Sequence, residues 1–576
     1  MDKNWIYKEK PDAVVVRQLM DRLEVSAPIV RLMVQRSITT TGEADAFFSP
    51  RLDNLHDPFM MKDMNKAIDR VSTAIGRNEK ILIYGDYDVD GTTSVALLYS
   101  FLKRFYSNID YYIPNRYQEG YGVSSKGLDY ARENNCKLVV TLDCGIKAIE
   151  KALYARSLGL DMIICDHHLP GDSIPDAVAV LDPKQPGCSY PYKDLSGCGV
   201  GFKLIQAYSR LNDLPFTDLI PYLDLVAVSI ASDIVPITGE NRVMAYYGLQ
   251  QLNKNPRIGL SKIIKESEIK KVISIEDVVF KIGPRINAAG RMESGSRAVE
   301  LLISENDSLA GEISKEINDC NKERRSVDRL ITTEALRMIS SDPRQVNSKT
   351  TVLYNPEWHK GVIGIVASRL IETHYRPTVI LTESNGFATG SARSVAGYDL
   401  YQAIEGCSDL LESFGGHMFA AGLTLKRENI PDFIRRFEEI VSDTISDEQM
   451  IPRVEVDQEI DFNEITDSFY YNLSRFQPFG PENMAPVFVT RNVYDTGTGR
   501  SVGAGGEHLK LDLCSEASGT TSFPAIAFGQ GNRADLFTNG SPVNIAYTIE
   551  MNEYKGLRNL QLNIRDIKTS APKDLQ

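Results

Sequence analysis

Short apolar runs alternate with amphipathic segments over residues 61–181, and this alternation predicts a parallel α/β sheet. The predicted strands cover residues 81–83, 137–142, 161–165 and 177–181. The predicted helices cover residues 61–75, 95–105, 125–134 and 148–158. Because parallel strands need long and usually helical crossover connections, we predict a doubly wound parallel sheet as the first large domain.

Segments with other patterns precede and follow this domain. The first 60 residues predict a helical lead-in that packs against the α/β core, and the charged helical sequence of 298–340 predicts a long connecting helix. A second, smaller α/β domain follows, with small-residue loops at 390–394 and 414–422. Short strand-like runs after residue 447 predict an OB-like β-barrel, with a generic β domain as the alternative, and a loose tail over 569–576. The predicted domain bounds are 1–60, 61–290, 291–345, 346–448 and 449–570.

Length and composition set broad limits on this organisation. A chain of 576 residues is too long for one hydrophobic core. Its eight cysteines include no C-x-x-C pair, so we expect reduced thiols rather than disulfides or a zinc knuckle. With no apolar run of transmembrane length and no signal-peptide core at the N-terminus, we expect a cytoplasmic protein. The net charge of −13 argues against a generally basic surface but leaves a local nucleic-acid channel open.

Three carboxylates, Asp86, Asp88 and Asp90, follow the first predicted strand at intervals of two residues. In an extended chain alternate side chains face the same way, so all three are predicted to lie on one side. Like charges at this spacing repel one another and favour a cation, and oxygen ligands suit hard metal ions. The alternative is a solvated acidic turn.

Further polar residues end the next strands of the predicted sheet. Asp143 follows the second strand, and Asp166, His167 and His168 follow the third. The carboxyl ends of parallel strands meet at one edge of a sheet, so these side chains are predicted to converge with the acidic triplet. Asp233 closes an apolar helix, where an unpaired carboxylate is costly to bury. Together the residues predict a metal or phosphate site.

Several cations and glycine-rich stretches are candidates for binding an anion. Arg116 lies in a loop rich in Arg, Glu, Tyr and Gly, and its alternative is an ordinary surface arginine. Glycines at 197–201 precede a helix whose N–H groups could face an anion. Arg285 and Arg291 flank small residues, which indicates close approach to a backbone. Arg393 and His417 lie in the small-residue loops of the second α/β domain.

Four features follow one another along the chain: the motifs at 86–91, 143–145 and 166–168, and then Asp233. Their order resembles that of the DHH phosphoesterase superfamily. Residues 415–417 and 420–422 are similar to the DHH-associated domain. The added motifs at 284–291 and 390–394 and the C-terminal β domain narrow the resemblance to the RecJ family of single-strand-specific exonucleases. The resemblance covers nearly the whole chain.

The resemblance implies a site for two ions, Mn²⁺ or Mg²⁺. The implied ligands are Asp88, Asp90, Asp143, His167 and Asp233, with Asp86 close by and Asp143 as the bridge. His168 would contact the scissile phosphate, and Asp166 would orient the histidines. The implied nucleic-acid contacts are Arg116, Ser391 and Arg393 at the 5′-phosphate, with Arg285, Arg291 and His417 near the strand.

One position departs from the superfamily pattern. Many members carry a histidine four residues before the second aspartate of the first motif, and this chain has Tyr84 there. A phenol is a poor ligand for Mn²⁺ or Mg²⁺, so one ion would draw on Asp86 or on water instead. The division of ligands among Asp86, Asp88 and Asp90 therefore stays open.

The resemblance implies a metal-dependent enzyme that degrades single-stranded DNA from 5′ to 3′ into 5′-mononucleotides, in DNA repair and recombination. One alternative is a DHH phosphodiesterase of short oligonucleotides or cyclic dinucleotides, which the C-terminal β domain argues against. Another is a non-catalytic relative that only binds single strands, although such relatives lose ligand carboxylates that this chain keeps. The family also implies a single-strand-binding protein and a helicase as partners. We expect a monomer that does not contact membranes.

Overall fold

The computed structural model describes residues 2–292, 294–517, 519, 521–538, 540–554 and 556–570. The chain divides into two compact units. The central unit comprises residues 49–327 and 477–484, and the flanking unit comprises residues 1–48, 328–476 and 485–576. Within the described ranges every helix is too short or too polar to cross a lipid bilayer. Of the predicted loose tail, residues 571–576 lie outside the described residues.

Residues 1–48 of the predicted lead-in belong to the flanking unit, whereas residues 49–60 belong to the central unit. Leu52, Leu55 and Phe59 pack against the core of the first α/β domain, so the expected packing is confirmed for this last part of the lead-in. Strand β1 pairs in parallel with Arg453–Val456, and the Trp5 Nε1–H donates to Asp566 Oδ2 at 2.8 Å. A partner so far along the chain leaves no trace in local periodicity. The elements of this segment are β1 Asn4–Tyr7, α1 Ala13–Leu23, α2 Ala27–Val34 and α3 Thr41–Phe48.

The central unit is built on the predicted parallel sheet, in the strand order β3-β2-β4-β5-β6. Its strands are β2 Lys80–Gly85, β3 Ile109–Tyr112, β4 Cys136–Leu142, β5 Asp161–Cys165 and β6 Ala179–Leu181. All four pairings are parallel, and the inner strands are buried on both faces, as expected where helices cover the sheet from both sides. The doubly wound α/β prediction is confirmed.

Helices surround this sheet and then lead towards the second α/β domain. A single π-turn at Val278–Ile282 interrupts them where Pro284 lacks the N–H that a regular helix would use. The 35-residue α15 is the predicted connecting helix. The helices are α4 Met64–Gly76, α5 Val89–Lys103, α6 Ser125–Glu133, α7 Ile149–Ser157, α8 Gly197–Leu211, α9 Leu223–Ser232, α10 Gly239–Lys254, α11 Ile258–Glu266, α12 Ile275–Asp277, α13 Gly283–Met292, α14 Gly295–Ile303 and α15 Asp307–Ser341.

The smaller α/β domain lies in the flanking unit and has a mixed sheet in the order β10-β11-β9-β8-β7. The small-residue stretches predicted as loops at 390–394 and 414–422 fall mainly in strands, because their backbones pair in an antiparallel ladder with Ser391 opposite Gly422. The elements are α16 Pro343–Asn347, β7 Thr351–Tyr354, α17 Ile363–Thr373, β8 Thr378–Ser384, β9 Phe387–Arg393, α18 Leu400–Glu405, β10 Leu411–His417, β11 Ala420–Leu425 and α19 Ile430–Thr444.

The C-terminal β domain has the strand order β13-β14-β18-β19-β17-β16-β15. An additional pairing of β14 with β16 closes five of these strands into a ring, which is the arrangement of an OB-like barrel. The elements are β12 Arg453–Val456, β13 Gln458–Glu459, α20 Asp467–Ser474, β14 Phe488–Asp495, β15 Arg500–Val502, β16 His508–Ser515, β17 Ser522–Ala527, α21 Asp535–Thr538, β18 Val543–Tyr554 and β19 Leu557–Thr569.

Candidate metal centre

The acidic triplet lies where strand β2 turns into helix α5. Asp88 caps the helix by accepting a hydrogen bond from the Gly91 N–H at 3.0 Å, and Asp90 lies in the first helical turn. The extended geometry assumed for all three carboxylates holds up to Asp88 and is wrong from Val89 onwards, because the helix starts inside the triplet. A Cβ at Gly91 would lie 2.3 Å from the carbonyl oxygen of Asp86, so only glycine fits this tight turn.

Asp90 is held by hydrogen bonds from neighbouring helices. Its Oδ2 accepts from the Gly197 N–H at 2.7 Å, and its Oδ1 accepts from the Cys198 N–H at 2.8 Å and from the Ser229 hydroxyl at 2.7 Å. The glycine-rich start of α8 thus faces an anion, as predicted, but that anion is a carboxylate of the same chain. Helix N-termini stabilise negative charge in this way.

Asp143 follows strand β4 in the left-handed backbone region, with φ of 60°. Non-glycine residues rarely adopt this conformation, and it is often found at functional sites. A Cβ at Gly197 would lie 2.7 Å from the Asp143 Cβ, so the start of α8 approaches this side chain closely. Burial, then the charges of Asp90 and Asp88, raise the pKa of Asp143 well above its usual value.

His167 brings a nitrogen into the middle of the carboxylates. Its Nε2 lies 3.2 Å from Asp143 Oδ1, 3.6 Å from Asp233 Oδ2 and 3.7 Å from Asp90 Oδ2. Despite these distances, neither ring nitrogen makes a hydrogen bond, although both are buried. Burial lowers the pKa of His167, which favours the neutral ring with a lone pair free to bind a metal.

Asp166 and His168 form a hydrogen-bonded pair beside this cluster. Asp166 Oδ1 accepts from His168 Nδ1 at 2.7 Å and from the His167 N–H at 2.7 Å, and its Oδ2 accepts from the Ile146 N–H at 2.8 Å. Although burial opposes both charges, the hydrogen bond holds the pKa of Asp166 below its usual value and raises the pKa of His168 to about 9.

Tyr84 points away from the carboxylates and is fully buried. Its hydroxyl donates to the Gly122 carbonyl at 2.9 Å and accepts from the Ser124 N–H at 3.0 Å, while the Gly122 N–H approaches Asp86 Oδ1 at 3.4 Å. Tyr84 therefore fixes the loop beside Asp86. The other oxygen of Asp86, Oδ2, is buried without a hydrogen bond and is available to a cation.

The cluster as a whole carries more negative charge than it can hold alone. The pKa values of Asp86, Asp88, Asp143 and Asp233 are all raised, first by burial and then by neighbouring carboxylates. Two ligand groups have donor atoms within 4.8 Å of one another: Asp143 with His167 and His168, and Asp90 with His167 and Asp233. Carboxylate oxygens with some imidazole fit Mn²⁺ or Mg²⁺.

The predicted nucleic-acid residues of the central unit are divided. The Arg116 guanidinium lies 5.0 Å from the ring centre of Tyr87 and acts on the charge of Asp86. Arg291 is nearby, since its carbonyl accepts from the hydroxyl of Tyr117. Arg285 instead donates to the Lys281 and Glu266 carbonyls and to Asn318 Oδ1, so its contact with a strand stays a prediction.

The remaining predicted contacts lie in the flanking unit. The Arg393 guanidinium donates to Ser391 Oγ at 3.0 Å and to the Ala392 carbonyl at 2.8 Å. A Cβ at Gly364 would lie 2.9 Å from that same Ser391 oxygen, so helix α17 begins against this pair. His417 is exposed at the end of β10. The proximity of these three residues to the carboxylates stays a prediction.

Two residues of the centre were missed at the level of sequence. The Tyr121 hydroxyl lies 3.2 Å from His168 Nε2 and 3.4 Å from the Asp143 carbonyl oxygen. The Lys184 ammonium donates to the His167 carbonyl at 2.8 Å. Lys184 follows the last predicted strand at the same edge of the sheet, so the argument that gathered the aspartates could have included it.

Three family descriptions match the chain. The DHH family, N-terminal domain, matches residues 80–230. The DHHA1 domain matches residues 347–443. The RecJ OB domain matches residues 456–566.

Named proteins from several organisms are similar to this chain over nearly its full length. The single-stranded-DNA-specific exonuclease RecJ of Bacillus subtilis is 38% identical over 566 residues, which is 98% of this chain and 70% of that protein. The protein of the same name from Haemophilus influenzae is 31% identical over 554 residues, covering 92% of this chain and 94% of its own length. The crystal structure of RecJ from Thermus thermophilus in complex with Mn²⁺ matches with a TM-score of 0.84 and 26% identity, over 99% of this chain and 80% of that one.

Proposed function

The chain belongs to the RecJ family of single-stranded-DNA-specific exonucleases, and on this premise we propose that its carboxylate cluster hydrolyses single-stranded DNA from the 5′ end into 5′-mononucleotides. The observation that carries the proposal is the set of buried carboxylates around the unbonded Nε2 of His167. Such a set, when ionised, is stabilised by cations, and cations beside a phosphodiester promote its hydrolysis.

Mn²⁺ or Mg²⁺ is the cofactor. We assign it to the converging donor atoms of Asp143, Asp90, His167 and Asp233, with Asp86 and Asp88 close enough to act on the charge of Asp143. The proposed ligands are Asp86, Asp88, Asp90, Asp143, His167 and Asp233. Asp143 is the proposed bridge between two ions, because Asp86, Asp88, Asp90 and Asp233 all act on its charge. Bound there, two divalent ions supply charge stabilisation for the attacking and leaving oxygens and a water that ionises near neutral pH.

His168 is suited to a proton role beside these ligands. In the metal-free protein the hydrogen bond to Asp166 raises the pKa of His168 to about 9, which favours a protonated ring that donates hydrogen bonds. With Nδ1 committed to Asp166, the Nε2–H can donate to a phosphate oxygen or pass its proton to the leaving oxygen. Asp166 fixes the ring orientation, and Tyr121 contacts the same nitrogen.

Arg116 is proposed to contact the 5′-phosphate, because it stands beside Asp86 and its planar fork suits a terminal phosphate. Ser391 and Arg393, whose side chains are hydrogen-bonded to each other, are likewise proposed to contact a 5′-terminal phosphate. Arg285, Arg291 and His417 are proposed to contact the following nucleotides. The OB domain at 456–566 is proposed to track the rest of the strand.

Finer assignments extend this proposal. A single-strand-binding protein and a helicase are proposed partners, because each supplies the exposed strand that the enzyme needs. We further propose a monomeric, cytoplasmic enzyme acting in repair and recombination. The domain bounds 1–60, 61–290, 291–345, 346–448 and 449–570 remain part of the proposal.

The decisive test is digestion of a 5′-phosphorylated, 3′-labelled single strand with Mn²⁺, beside a strand with a blocked 5′ end and a duplex. We expect mononucleotides from the free 5′ end alone. Asp143→Ala is expected to be inert, whereas Asp172→Ala, which removes an exposed carboxylate from a nearby loop, should cut normally. Cleavage restricted to di- to pentanucleotides would favour an oligonucleotide phosphodiesterase. Binding without cleavage would refute the proposed chemistry.

A further inference from the structure

Helix α9 ends in a way that its sequence does not favour. The helix is followed by Asp233 and then by Ile234, whose φ is 59°. The position after a helix cap commonly adopts this left-handed conformation, and glycine or asparagine is the usual residue there. A β-branched side chain is strongly disfavoured in the left-handed region. The chain therefore keeps isoleucine at a position where it opposes folding.

Packing does not explain this choice. The Ile234 side chain is 64% exposed, whereas Val235 and Ile237, which follow it, are buried. An exposed isoleucine in a strained conformation contributes little to the core of the protein. Strain without a structural benefit indicates a functional reason.

A second exposed apolar residue lies close along the chain to the same cluster. Leu169 is 70% exposed and directly follows His168. Asp233 precedes Ile234, and its Oδ2 lies 3.6 Å from Nε2 of His167, two residues before Leu169. Each exposed apolar residue thus lies within two residues of a side chain of the cluster, Ile234 after Asp233 and Leu169 after His167 and His168.

We propose that Ile234 and Leu169 form an apolar rim that contacts the nucleobase of the 5′-terminal nucleotide during cleavage. The inference rests on the exonuclease function proposed above. The proposed metal ligands and His168 are charged or polar and suit the phosphate, whereas Ile234, Leu169 and the exposed ring of Tyr121 are the apolar surfaces that can cover a flat base. Such contact is independent of base identity, as an enzyme that degrades any sequence requires. Strain at Ile234 keeps the side chain turned outward before the strand arrives.

The test compares Ile234→Asn and Leu169→Ser with the wild type on two single strands, one normal and one whose 5′-terminal nucleotide lacks its base. Asparagine tolerates the left-handed conformation, so the melting temperature of Ile234→Asn should not fall. On the normal strand we expect KM to rise about fivefold to tenfold in each variant, with a smaller change in kcat. On the strand without the base, wild type and variants should have similar KM values. Ile234→Val, which keeps a β-branched apolar side chain, should have a KM close to that of the wild type.

Controls separate the rim from strain and from the proposed reaction. Glu24→Asn replaces another exposed residue with positive φ, at the end of α1 and in the flanking unit, and should leave both KM values unchanged. A wild type that cuts neither strand would refute the exonuclease proposal itself. A wild type that cuts normally, with Ile234→Asn weakened equally on both strands or not at all, would refute the rim alone.

Discussion

Two groups of buried charges in the central unit are built on opposite principles. Lys203 and Glu240 are both fully buried, 2.5 Å apart, and every charged atom has a partner. Glu240 accepts from the Tyr190 hydroxyl at 2.6 Å and the His56 N–H at 2.8 Å, while Lys203 donates to the His56 carbonyl at 3.2 Å. At the metal centre, buried carboxylates face one another and an unbonded imidazole nitrogen.

The contrast teaches that burial of charge does not by itself mark a functional site. A closed pair cancels its own charge and ties distant segments together, here the main chain at His56 to α8 and α10. An open cluster of one sign leaves an excess of negative charge that an external cation, or the uptake of protons, must balance. The two groups should therefore respond oppositely to the loss of one member.

The largest expected effect is the loss of activity in Asp143→Asn. Removing one oxygen charge from the centre of the cluster should lower kcat by at least about a thousandfold, equivalent to about 4 kcal/mol. Because the change also relieves repulsion, the metal-free variant should melt at or above the wild-type temperature. Exonuclease assays and thermal melts in EDTA measure both effects. A metal-free variant that melts well below the wild type would contradict the idea of an open cluster.

Lys203→Met should have the opposite character. It leaves Glu240 buried without its cation, so we expect a loss of about 3–5 kcal/mol in the free energy of unfolding. Denaturant melts that follow the unfolding of the central unit measure this loss. Mn²⁺ should still stabilise the folded fraction of the variant. The double variant Lys203→Met with Glu240→Leu should recover part of the stability, since no buried charge remains. Equal losses in the single and double variants would argue against a closed pair.

Mn²⁺ itself should stabilise the wild type. At a free concentration of about 100 times Kd, one bound ion adds about 2.7 kcal/mol to the free energy of unfolding. Asp143→Asn should lose most of this gain, and Asp172→Ala should keep it. Melting curves over a series of Mn²⁺ concentrations provide the measurement, and equal gains in both variants would place the ion elsewhere.

The smallest effect concerns pH in the metal-free protein. The pKa of His168 is raised to about 9 in the folded state, so its stabilising hydrogen bond to Asp166 is fully present below about pH 6.5. The contribution should fall as pH rises from about 6.5 through 9. Since the side chain is 44% exposed, solvent screening limits it to about 1 kcal/mol. Denaturant melts should show the stability advantage of wild type over His168→Gln shrinking across this range, and a constant advantage would refute the assignment.

Sequence alone predicted the parallel sheet and gathered most of the centre, because strand ends of such a sheet share an edge whatever the side chains do. Sequence alone did not predict which group would be the hydrogen-bond partner of a given donor or acceptor. The N–H groups of Gly197 and Cys198 do bind an anion, but only the fold reveals that it is Asp90. Tyr84 occupies a position that suggested a poor ligand, whereas its hydroxyl holds a loop. The partner of β1 was equally invisible, since strand pairing across the chain has no local signature.

That pairing of the first strand with residues 453–456 also has a consequence for biosynthesis. The N-terminal strand leaves the ribosome first, yet its partner is made only after most of the chain. At translation rates of about 5–20 residues per second, the interval is roughly twenty to ninety seconds. The central unit also cannot be completed until residue 481 has been synthesised, because the Ile237 N–H donates to the Pro481 carbonyl at 2.9 Å. A ribosome that stalls before residue 453 would thus leave the N-terminal strand edge unpaired and open to chaperones or to other nascent chains.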